Sequence, residues 1–163
     1  MITVSSVVEH VGLGNIVDIL LGRVEGDLDA DVFLAVVNSE PTGDFAVELV
    51  EVASAAVTRV ELAITSAQRQ INGYITKRYP NGLTAAEIED SPLPNIAQKL
   101  VKYELMVEAD DDTRANKKYA MTELRDIANG LISLGTSDPA KTTSKAITTA
   151  QSTSRFDWGG FGR

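Results

Sequence analysis

Residues 54–80 read SAAVTRVELAITSAQRQINGYITKRYP, and the periodicity of this stretch decides the fold class. Val57, Val60, Ile64, Ala67, Ile71, Tyr74 or Ile75, and Arg78 recur at steps of three and four residues. That is the spacing of one face of a long α-helix. Ser54 is a residue type that caps a helix start. Lys77 and Arg78 suit the negative end of the helix dipole, and Pro80, with Asn81 and Gly82 behind it, stops the helix in a turn. Gly73 lies inside the pattern at a cost of ~1 kcal/mol relative to alanine, which a close helix crossing would explain.

Downstream, TAAE at 84–87 has the spacing of a capping box for a single turn. Pro94 fits the first turn of a second helix, whose apolar face is Ile96, Leu100, Tyr103 and Val107. DDDT at 110–113 breaks it, and Asp112 or Thr113 caps a last long helix lined by Tyr119 or Ala120, Leu124, Ile127 and Leu131. Asn129 and Gly130 are its stop signal. The expected core is Val60, Ile64, Ile71, Ile96, Leu100, Leu124 and Ile127. After Gly135 the chain is Ser, Thr, Lys and Ala, with almost no large apolar residue until Phe156. Such a composition does not offset its own ordering entropy, so residues 136–163 read as an extended C-terminal tail.

Upstream, Ser6 stands three residues before Glu9, a second capping-box spacing. Val7, Val8 and Val11 give one apolar side to a short helix ending near Gly12, with another turn or two through NIVDILLG. RVEGDLDAD is an acidic loop. VFLAVVN and FAVELVEV flank SEPTGD, are rich in Val and Phe, and read as a β-hairpin over 32–52; a helical reading stays open, because short apolar runs are ambiguous. The expected fold is therefore mainly α. It is a small bundle of about four helices over residues 1–135, with an inserted hairpin or loop at about 24–53 and the tail behind it.

A chain of 163 residues is long enough for one domain with a core. It has no cysteine, hence no disulfide framework or thiolate chemistry. No run approaches the ~20 apolar residues of a membrane span, and the first residues do not read as a signal peptide. The charge is uneven. Residues 1–56 carry one base, Arg23, and ten acids, net −9, and the remainder is +1, for a total of −8. A nucleic-acid clamp needs a basic stripe, which an acidic lobe opposes.

Catalytic and metal-binding patterns are incomplete. His10 is the only histidine, so neither a His-based metal site nor a serine triad assembles around it. GLGNIV at 12–17 lacks the third glycine and the preceding strand of a dinucleotide loop. DLDADV begins like a calcium loop with Asp27, Asp29 and Asp31, yet Val32 stands where glycine is needed and Asn38 where glutamate is expected. Asp110, Asp111 and Asp112 read as a helix break with a cap. The inventory points away from an enzyme and implies no cofactor.

The last twelve residues, STSRFDWGGFGR, hold the only tryptophan and two of the four phenylalanines. Arg155, Phe156, Trp158, Phe161 and Arg163 are candidate partner-binding residues, since Trp, Phe and Arg are suitable interface anchors.

The ordered series of motifs resembles the small neck proteins of Mu-like phages and prophages. INGYITKRYP looks like the helix ending of that family. PLPNIAQKLVKYEL looks like its Pro-led helix with a central aromatic, and LRDIANGLISLG like the last helix running into a Ser-Leu-Gly end. SRFDWGGFGR is loosely similar to its closing motif. The likeness covers residues 54–135 best, and residues 24–53 look like an insertion where the family has a short acidic loop. The resemblance implies a head–tail connector, or adaptor, in the virion neck, assembled in the host cytoplasm. Such proteins form a homo-oligomeric ring, commonly a dodecamer, beneath the portal protein. Viral DNA passes through the lumen, and an adjacent neck or tail protein docks below; no membrane is involved. The competing reading is a nucleic-acid-binding regulator using Arg69, Lys77, Arg78, Lys99 and Lys102.

Overall fold

The computed structural model describes residues 2–135, which form seven helices and no strand. These are α1 (Val4–Val11), α2 (Leu13–Leu21), α3 (Ala30–Val37), α4 (Val47–Ile75), α5 (Ala85–Glu89), α6 (Leu93–Leu105) and α7 (Asp111–Asn129). The tail residues 136–163, and with them Arg155, Phe156, Trp158, Phe161 and Arg163, lie outside the described residues.

Helix α4 is the spine. Its 29 residues make a rod about 43 Å long, against which α3, α6 and α7 pack. The anticipated face is the buried one: Val60, Ala67, Ile64 and Ile71 point inward, joined by Ile96, Leu100, Leu124 and Ile127 from α6 and α7. The helix does not start at Ser54. It starts behind Ala46, and the Ser54 hydroxyl donates back to the Val50 carbonyl at 2.7 Å. Gly73 is exposed, and a side chain there would meet nothing, so no close crossing requires it.

The expected hairpin over 32–52 is not formed. VFLAVV is α3, which buries Val32, Phe33 and Ala35, and FAVELVEV leads into the first two turns of α4. Two features override the β-propensity of the valines. Asp29 caps α3, its Oδ1 accepting from the backbone N–H of Asp31 at 2.9 Å and of Val32 at 3.1 Å. And Ala53, Ala56 and Val60 continue one buried stripe through α4, so a helical register buries more than a pleated one would. Ser39 closes α3 in the left-handed region at φ 58. The N–H groups of Ser39 and Glu40 reach back to the carbonyls of Val36 and Ala35 at 3.1 and 2.8 Å, a Schellman closure with serine where glycine is usual.

The helix starts differ from the sequence reading in two more places. Thr3, not Ser6, caps α1; Ser6 takes the reciprocal role, its hydroxyl accepting from the Thr3 N–H at 3.0 Å. Asp110, not Asp112 or Thr113, caps α7, accepting from the Thr113 N–H at 2.6 Å. Thr84 and Glu87 do form the expected box on α5. Ala120 rather than Tyr119 faces the core, and Val107 and Leu131 are exposed just beyond their helices. Phe33, Ile16 and Leu20 complete the core from the N-terminal helices. Among the described residues no single helix is long and apolar enough to cross a membrane.

Candidate functional site

The most elaborate polar arrangement in the described residues ties the segment after α7 to the end of α4. Arg78, just past α4, reaches the C-terminal end of α7, where the Ile127 carbonyl also accepts the Gly130 N–H at 3.1 Å. Its Nη1 donates to the Ile127 carbonyl at 2.6 Å and to the Ile132 carbonyl at 3.4 Å, which also neutralises the negative pole of α7. Gly130 makes room for it. Gly130 stands at φ 85, and a Cβ there would lie 2.9 Å from the same Nη1. The guanidinium also sits 5.6 Å from the Tyr79 ring centre. The buried Tyr79 hydroxyl accepts the Leu134 N–H at 3.1 Å. Gly135 then lies against the Glu87 side chain, where a Cβ would come within 2.6 Å of Oε1. Arg-Tyr-Pro at the end of α4 and Ser-Leu-Gly after α7 are thus two halves of one clamp. The sequence places Arg78 on the helix face, at the dipole end and among the bases of a nucleic-acid binder, and assigns Tyr79 no contact, because their partners lie about fifty residues away.

Along α4, α5 and α6 runs an apolar groove of about 430 Å³ lined by Ile2, Ile71, Ile75, Ala85, Ile88 and Leu93, among others.

Charge is sorted by face. A groove of about 340 Å³ beside α3 holds Asp31, Glu40 and Asp44 around Leu34, Pro41 and Phe45. Elsewhere on the bundle, Arg114, Lys117, Lys118 and Arg125 of α7 line a groove with Met121 and with Tyr103 of α6. Lys117 Nζ stands 3.6 Å over the Tyr103 ring centre. The bases named for a nucleic-acid binder stand in different settings. Arg78 is in the clamp, Lys99 pairs with Glu123 at 3.8 Å, and Arg69 and Lys77 stand exposed on α4 and just past its end. The acidic motifs serve helix starts: Asp29 caps α3, and Asp110 caps α7. The Asp110 carboxyl is held below its ordinary range, first by the Thr113 hydroxyl and then by the Thr113 N–H. Gly12 opens α2 at φ 88 with no side-chain cap, a bend between α1 and α2. His10 is exposed in the last turn of α1.

A family model described as Bacteriophage Mu, Gp36 matches residues 28–152, most of the chain. It takes in α3, the clamp and the start of the tail. The chain belongs to that family and is a phage protein, at work in a virion or an infected cell. No curated protein and no solved structure matches it.

Proposed function

We propose, with membership of the Bacteriophage Mu Gp36 family as the premise, that this protein is a structural component of the virion neck. It is a head–tail connector that forms a ring beneath the portal and passes viral DNA without gripping it. It carries out no catalysis. The observation that carries the reading is the family match over residues 28–152. Two physical features support it. The net charge of −8 suits a conduit that must not retain phosphate. The clamp at Tyr79 and Leu134 gives the last 28 residues a fixed point of departure, as a docking arm needs. In this reading Phe156, Trp158 and Phe161 insert into the portal or the next neck protein, with Arg155 and Arg163 pairing with its acidic groups. A ring of such arms multiplies weak individual contacts.

Co-sedimentation with portal-bearing capsids tests it. The chain ending at Gly135 is expected to stay folded, since the described core lies wholly before that point, and to lose binding to heads. Trp158→Ala weakens docking with the melting curve unchanged. Full binding without residues 136–163 would remove the anchor role, and absence of the intact protein from purified necks would remove the connector role.

A further inference from the structure

We infer that successive subunits of the ring meet head to tail, the basic face of α7 on one copy seated in the acidic groove beside α3 on the next. The inference rests on the ring reading above and specifies its interface.

Arg114, Lys117, Lys118 and Arg125 fall at helical spacings on one side of α7, and Met121 lies between them. Only Arg114 is paired within the subunit, with the exposed Asp111 at 3.2 Å. Lys117, Lys118 and Arg125 form no ion pair among the described residues. The face is not merely charged: Met121 and the Tyr103 ring under Lys117 give it an apolar centre.

The groove beside α3 is the reciprocal surface. Asp31, Glu40 and Asp44 are exposed at its edge, and no base lines it. Leu34, Pro41 and Phe45 supply the apolar surface between them. The Schellman closure at Ser39 fixes Glu40 at one end, and Asp29 fixes the first turn of α3, with Asp31, at the other. A methionine ringed by bases thus has, on the same chain, a counterpart of apolar residues ringed by carboxylates.

Two unlike, mutually complementary faces on one chain suit the head-to-tail contacts of a ring. Helix α3 packs on α2 and α4, and α7 packs on α6 and α4, so the two faces sit on different helices of the bundle. A heterologous interface needs two different complementary faces on one subunit, and repeated rotation through them closes a ring. A two-fold pairing of either face with itself would set like charges together. Duplex DNA is the other polyanion that the α7 face could meet, but the complement already present on the chain favours a second copy.

The test is charge reversal in the full chain, read by native mass spectrometry with and without portal-bearing capsids, beside a melting curve. Lys117→Glu with Lys118→Glu is expected to abolish rings while leaving the fold intact, and Glu40→Lys with Asp44→Lys to do the same. Mixing the two variants in equal amounts restores rings in which they alternate, because each variant's altered face then meets the other's. Wild-type rings weaken as salt rises, since exposed charge pairs are screened. Normal rings from either reversed variant would overturn the interface and leave the connector reading standing. So would failure of the mixture to reassemble. Normal rings with lost binding to duplex DNA would reassign the α7 face to nucleic acid. A wild-type chain that stays monomeric even with capsids would overturn the ring reading and this interface with it.

Discussion

Tyr79→Phe removes one oxygen and keeps the buried ring. Tyr79 and Leu134 are each 5% exposed, and the hydroxyl accepts the Leu134 N–H at 3.1 Å. Without it a backbone donor is buried with no acceptor from this residue. The relevant magnitude is therefore not the ~0.5–1.5 kcal/mol net worth of a hydrogen bond but the ~1–3 kcal/mol cost of an unsatisfied buried group. For a protein of this size that lowers the melting temperature by roughly 3–10 °C. Chemical denaturation should show a lower midpoint with an unchanged slope, and amide exchange at Leu134 should quicken before that of the α4 core. Tyr119→Phe is the control, because Tyr119 is 65% exposed, and it should change nothing. A Tyr79→Phe variant within ~0.5 kcal/mol of wild type, the range of ordinary surface substitutions, would refute the clamp as a stabilising element.

Three further outcomes follow from the same packing. Leu100→Ala, at a position 1% exposed between α4 and α7, should cost about 2–5 kcal/mol in a denaturation series. Ser39→Gly should stabilise by ~1 kcal/mol, because it relieves a left-handed backbone at φ 58 that non-glycine residues adopt at a penalty; the melting temperature reads it. Asp110 has a lowered pKa, so its cap contributes fully above the ordinary carboxylate value and is lost as pH falls through the lowered one. The stability difference between wild type and Asp110→Ala, measured from pH 7 downward, should be constant to about pH 4 and then shrink, whereas Asp110→Asn, a neutral cap, should show no such decline.

The helical body was legible because α4, α6 and α7 each repeat apolar residues at helical spacing and end on local signals. Gly130 at φ 85 is such a signal, a glycine in the left-handed conformation that ends a helix. The N-terminal third was less legible for a physical reason. VFLAVV is apolar on every side, so its period is hidden, and it is α4 that decides between strand and helix by burying Val32, Phe33 and Ala35. Asp29 belongs to an acidic run with the composition of a loop, which hides its role as the cap of α3. The α7 basic face is hard to see in the sequence because Arg114, Lys117, Lys118 and Arg125 are separated by uncharged residues and Glu123 and line up only once wound on a helix. The clamp was beyond local reading altogether, as Arg78 and Tyr79 meet their partners across the whole of α5, α6 and α7.

The clamp also has a mechanical meaning. A pull on the chain beyond Gly135 does not simply unwind α7 from its end. It first strains the Tyr79–Leu134 bond and the Arg78 guanidinium lodged against Ile127 and Ile132. Both residues belong to the segment that immediately follows α4, so the load passes into the longest rod in the molecule and is carried along it toward α3. A force applied at one end of the subunit is thus delivered to the other with little give, as a tie bar would deliver it.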